Sequence, residues 1–194
     1  MAYTNCIILA LSLFSLLSLH STEARLSLSP SSGPTASHHP SYKGPVPPAV
    51  KTICDRTEFP DVCISTIVPL LGPSQKTDPI SILQLGLKAL TTETHKAIRQ
   101  TKKLFKDPKT TPEIGDCLNV CLESYDNVLE SNDKAISSIP GKDVVPLDGT
   151  ITMIYDCDDA FTELTTEKSP LEKINKNLIK IAKNNVGISN AFTA

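Results

Sequence analysis

Residues 78–108, DPISILQLGLKALTTETHKAIRQTKKLFKDP, decide the fold. Within them Ile80, Leu83, Leu87, Leu90, Thr94, Ala97, Thr101 and Leu104 recur at intervals of three and four, which draws one apolar stripe along a helix of about seven turns. Asp78 can accept from the free N–H groups of the first turn, and Pro79 fits the first helical position, where its missing N–H costs nothing. Lys102, Lys103 and Lys106 complement the negative end of the helix dipole, and Pro108 stops the run.

Three further segments repeat the pattern. Between Pro112 and Ile139 the inner positions are Ile114, Cys117 or Leu118, Cys121, Tyr125, Val128, Asn132 and Ile136, closed by Pro140-Gly141. A third helix starting near Leu147 carries Ile151, Ile154, Cys157, Phe161 and Leu164. Ser169-Pro170 opens the last, with Leu171, Ile174, Leu178, Ile181, Asn185, Ile188 and Phe192. Four long amphipathic helices joined by short Pro- and Gly-containing turns predict an all-α, up-and-down four-helix bundle. Val50 to Leu71 is expected to pack on it as a short N-terminal helical hairpin extension. No alternating strand pattern and no internal repeat is visible.

The front of the chain reads differently. Cys6 to Leu19 is a nearly unbroken apolar run, short for a membrane span, and Thr22-Glu23-Ala24 places small residues where a signal peptidase reads. No Lys or Arg precedes the run. Residues 1–24 are expected to be a signal peptide and 25–48 a disordered Ser-, Pro- and His-rich linker, in which His38-His39 makes a poor metal site. Residues 49–194 form the helical domain, with no further segment apolar enough for a membrane. The protein is therefore expected to be secreted, in the extracellular space or cell wall, with the vacuole as the other compartment.

Formal charge is −2, but it is unevenly spread. From Lys88 to Lys109 the chain carries Lys88, Lys96, Arg99, Lys102, Lys103, Lys106 and Lys109 against only Glu93 and Asp107, whereas Asp and Glu dominate from Glu113 to Glu163. Opposite charge on adjacent helices is chiefly a matter of solvated faces; as docking surfaces, the candidates are Lys96, Arg99 and Lys103, or Glu123, Asp126, Glu130 and Asp133. Few aromatics interrupt the basic stretch, so nucleic acid is not an expected partner.

Loss of Cys6 leaves Cys54, Cys63, Cys117, Cys121 and Cys157. Five choices of unpaired cysteine with three pairings each give fifteen connectivities for two bridges. Cys117 and Cys121 stand one helical turn apart with parallel side chains, so one of them is expected to pair with Cys157 across the bundle. Zinc would want paired C-x2-C elements, which are missing; neither a metal nor a cofactor is expected.

Ile53-Cys54 through Phe59-Pro60 to Cys63, then Cys121-Leu-Glu-Ser-Tyr125-Asp126, Cys157-Asp-Asp-Ala-Phe161 and Ser169-Pro170-Leu171 with Asn175 together resemble the plant invertase and pectin methylesterase inhibitor domain. The resemblance spans Val50 to Phe192. It implies bridges Cys54–Cys63 and Cys121–Cys157 and a free thiol at Cys117. It also implies a non-enzymatic inhibitor that binds a cell-wall carbohydrate-active enzyme one to one and blocks its substrate cleft. Two departures stand out: Gly149 to Tyr155 replaces the usual Ser-Ala-Ala-like stretch, and the Pro-Lys-Phe segment typical of invertase-type members is absent from Gly141–Pro146. The second tips the expected target toward pectin methylesterase, with cell-wall or vacuolar invertase as the alternative. A non-inhibitory secreted helical binding protein is the remaining reading.

The residues themselves offer little for catalysis. His95, the one histidine of the helical domain, has no G-x-S-x-G nucleophile elbow near it. Asp156, Asp158 and Asp159 could suggest paired glycosidase carboxylates, but their spacing beside an inward Cys157 turns Asp156 and Asp158 sideways to solvent. No Asn-x-Ser/Thr glycosylation site occurs.

Overall fold

Six α-helices form in the computed structural model, which describes residues 44–141 and 146–193. They are α1 (Pro48–Cys54), α2 (Pro60–Ile67), α3 (Pro79–Phe105), α4 (Pro112–Ser138), α5 (Gly149–Leu164) and α6 (Glu172–Thr193), with 3-10 turns at Val68–Leu70 and Ile139–Gly141. The leader, the tail with His38 and His39, and most of the turn examined for a Pro-Lys-Phe segment lie outside the described residues. No strand occurs among those described.

Each long helix packs against two others: α3 and α5 both lie against α4 and α6. With short turns between successive helices, that ring of neighbours is an up-and-down four-helix bundle. Its core centres on Tyr125, Phe161, Leu118, Leu171, Leu178 and Ile181. A second apolar cluster gathers Val50, Ile67, Ile82, Leu83, Leu87, Ile139 and Ile188 where α1 and α2 join the bundle. The fold class read from the sequence is the observed one, hairpin extension and two disulfides included.

Caps fix the helix starts. Asp78 Oδ1 accepts from the Ser81 N–H at 3.1 Å and Oδ2 from the Ser81 hydroxyl at 2.8 Å, and these bonds hold its carboxyl below the usual carboxylate range. Thr111 plays the same part for α4, accepting from the Ile114 N–H. The α5 and α6 starts fall two or three residues later than expected, because Leu147–Asp148 and Ser169–Leu171 form turns before the first full helical bonds.

Among the expected stripe residues whose side chains are described, two are not inside; the Phe192 side chain lies outside that description. Ile80 is 38% and Leu164 56% exposed. Ile80 sits in the first turn of α3, where the buried face is widened by Ile82 and Leu85 against the hairpin cluster; Leu164 is the final residue of α5, past the packed region. The α3 face is broad because the helix meets α2, α4 and α6 at once. Gly86 makes room at the α6 contact: a Cβ there would lie 2.1 Å from Asn185 Oδ1, so that side chain would have to shift.

Candidate functional site

The cysteines frame the molecule. Cys54 and Cys63 are bridged, Cα atoms 5.5 Å apart, which ties the end of α1 to α2. Cys121 and Cys157 are bridged with Cα atoms 4.3 Å apart, joining α4 to α5. Cys117 is unpaired and buried, its Sγ 3.4 Å from the Ala160 carbonyl oxygen. Burial, and then the nearby Asp116 carboxylate, pushes this thiol above its usual range. A buried, electrostatically disfavoured thiolate makes Cys117 a packing residue rather than a nucleophile.

A polar hub sits against the second bridge. Asn175 on α6 is completely buried; its Oδ1 accepts from the Tyr125 hydroxyl at 2.5 Å and its Nδ2 donates to Asp158 Oδ1 at 2.8 Å. The same Nδ2 lies 3.2 Å and the Tyr125 hydroxyl 3.6 Å from Cys157 Sγ. Burial first, and the Asp158 carboxylate second, pushes the Tyr125 phenol above its ordinary range. One asparagine thereby links α4, α5 and α6 at the disulfide. Asp156 is exposed, as expected, but Asp158 is half-buried and spoken for, because α6 supplies a donor beside it.

Beyond Asp158 the surface opens into a cleft of about 650 Å³ between α5 and α6. Phe59, Tyr155 and Ile179 give it apolar walls; Lys176, Lys180 and Lys183, spaced along one face of α6, add charge. The Lys180 and Lys183 ammonium groups lie 5.5 and 5.9 Å from the Phe59 ring centroid. Lys183 also pairs with Glu58 at 3.0 Å and Lys176 with Glu172, which lowers the Glu172 pKa and raises that of Lys176. Phe59 is held by its main chain: its N–H donates to Asn184 Oδ1 and its carbonyl accepts from Asn184 Nδ2, both at 2.9 Å. The cleft thus combines apolar walls with a row of ammonium groups.

The two charged sets named from the sequence are both exposed, on separate helices. Lys96, Arg99 and Lys103 lie on α3, with Lys96 tied to Glu93 at 2.6 Å. Glu123, Asp126, Glu130 and Asp133 lie along α4, with Glu130 tied to Lys134 at 2.6 Å, an ion pair that lowers the Glu130 pKa. No group of three or more His, Cys, Asp or Glu able to hold a metal occurs among the described residues, and no described helix is long and apolar enough to cross a membrane.

The family model described as plant invertase/pectin methylesterase inhibitor matches residues 48–188, from the first turn of α1 to near the end of α6. The chain belongs to that family. Among curated relatives, Pectinesterase 1 of Arabidopsis thaliana is 29% identical over 159 residues, which is 75% of this chain and 26% of the relative's length. Pectinesterase 1 of Citrus sinensis is 29% identical over 91 residues, 46% of this chain and 16% of the relative. The chain thus spans about a quarter or less of these relatives. A crystal structure of a mutant form of an Arabidopsis pectin methylesterase inhibitor superposes with a TM-score of 0.60 at 15% identity, over 73% of this chain and 95% of that one, a likeness of fold.

Within this family member the cleft was not anticipated from sequence. Lys176, Lys180 and Lys183 do carry a readable signal, a three-and-four spacing, but Phe59 and Tyr155 reach the same place only through the hairpin dock and the rotation of α5.

Proposed function

We propose that the protein is a secreted, non-enzymatic inhibitor that binds a pectin methylesterase one to one and blocks its substrate cleft, with residues 49–194 as the inhibitory domain. The observation that carries this reading is family membership over nearly the whole helical region. The target preference rests on the missing Pro-Lys-Phe segment, with invertase as the second enzyme. Docking is assigned to the solvent-facing rows: Lys96, Arg99 and Lys103 on α3 or Glu123, Asp126, Glu130 and Asp133 on α4, beside the newly apparent α5–α6 cleft. Rigid helices that present exposed charge without reorganisation suit such an interface.

The test is a titration of purified pectin methylesterase, and separately invertase, with the oxidised protein while ester or sucrose hydrolysis is followed. Loss of pectin methylesterase turnover with a one-to-one end point is expected. Activity unchanged in both enzymes at excess protein would leave a non-inhibitory helical binding protein as the correct reading.

A further inference from the structure

The outermost line of α3, continued to its C-cap residue Lys106, carries the cations Lys88, Arg99, Lys102, Lys103 and Lys106, together with Thr92 and His95. At 100° per residue these seven positions fall within about 100° of arc, and from Lys88 to Lys106 the line runs about 27 Å. No carboxylate lies within it: Glu93 falls about 80° outside the arc and is engaged by Lys96 at 2.6 Å, and Asp107 follows the end of the helix. All five cations are exposed, and none of them forms an ion pair among the described residues, whereas Lys51, Lys96, Lys134, Lys176 and Lys183 each do. Ordinary solvated helices intersperse signs; here α3 keeps to one sign along this line, as the acidic row of α4 does with the other. A straight file of unpaired cations is a costly arrangement by self-repulsion unless a matching anion relieves it.

We propose that the α3 file is a binding surface for a linear polycarboxylate saccharide, the de-esterified polyuronide that pectin ester hydrolysis leaves behind. An extended chain with a carboxylate on successive rings presents charge along a line, as the file does, and ammonium and guanidinium groups both pair with carboxylates. Nucleic acid fits less well, since no Phe, Tyr or Trp lies in the line to stack successive bases. The choice of saccharide rests on the pectin-linked reading of the family; the existence of an anion-binding file does not. Bound this way, the protein would accumulate on demethylated polymer, where esterase has already acted, with α4 and the α5–α6 cleft left open.

The experiment needs no esterase, so its failure is separable from failure of the inhibitor reading. A fluorescent oligogalacturonide is titrated with the full oxidised chain and anisotropy is read at rising salt, alongside its fully methyl-esterified form, heparin and a DNA duplex. Binding to the free acid, weakening with salt and absent for the ester, is expected. The combined substitution Arg99→Gln, Lys102→Gln, Lys106→Gln should weaken it about tenfold, taking each exposed pair at its usual modest worth. Lys51→Gln with Lys134→Gln, exposed but off the file, should leave it unchanged, and helical circular dichroism checks folding of both variants. Equal losses in the two variants, equal binding of the ester, or equally tight binding of heparin or DNA would each overturn the assignment.

Discussion

Replacing Asn175 by Ala removes the one side chain that joins three helices at the Cys121–Cys157 bridge. The Tyr125 hydroxyl loses its 2.5 Å acceptor and Asp158 its 2.8 Å donor, in a site where Asn175 and Tyr125 are both fully buried. A buried polar group left without its partner costs about 1–3 kcal/mol, and the vacated amide leaves a void worth about 1 kcal/mol more, so the sum is about 2–4 kcal/mol. Half-buried Asp158 can turn to water and adds little. Tyr125→Phe should cost about 1–2 kcal/mol, and the double variant less than the two together, by about 1 kcal/mol, because both singles break the same bond. Urea unfolding of the oxidised protein, followed by helical circular dichroism with the slope checked for constancy, measures all three. A loss below about 1 kcal/mol for Asn175→Ala, or strictly additive singles, would refute the hub as a source of stability.

The raised Tyr125 phenol makes the folded state bind a proton that the unfolded chain releases first, so stability holds below the ordinary phenol value of 10.0 and falls as pH climbs from there toward the folded value; alkaline unfolding should be steeper in wild type than in Tyr125→Phe. Asp78 works in the opposite sense: its lowered pKa stabilises α3 above the ordinary value of 3.8 and the benefit is lost as pH falls through the folded value, so Asp78→Ala should cost about 1 kcal/mol at neutral pH and little in strong acid by thermal unfolding. Gly86→Ala forces a methyl onto Asn185 and should cost about 1–3 kcal/mol, part of it recovered in Gly86→Ala with Asn185→Ala. Cys121→Ser opens the loop to Cys157 and should cost about 3–4 kcal/mol, against about 1 kcal/mol for Cys117→Ser; in the wild type a thiol reagent should find Cys117 only after denaturant is added.

Helices were legible because each carries its own period, caps and stops: Asp78, Pro79 and Pro108 bound α3 by local chemistry alone. Which residues flank the stripe was less so. Ile82 and Leu85 are buried by the hairpin, a neighbour whose placement the α3 sequence does not encode, and Ile80 loses its cover at the helix end. The charged rows on α3 and α4 could be read since they depend on a single helix's rotation. The cleft and the Tyr125–Asn175–Asp158 hub could not, because they need two or three helices set in rotation and height at once, and the sequence shows each helix separately.

Asn184 grips Phe59 through both main-chain groups and ignores the ring. These two hydrogen bonds do not depend on the identity of residue 59, while that residue's side chain packs on the bundle core and forms a wall of the α5–α6 cleft. A change at position 59 keeps both Asn184 hydrogen bonds but gives up the ring's packing against the bundle core and its approach to Lys180 and Lys183. The clamp thus fixes where the backbone of residue 59 sits, and the side chain held there sets the shape of one wall of the cleft.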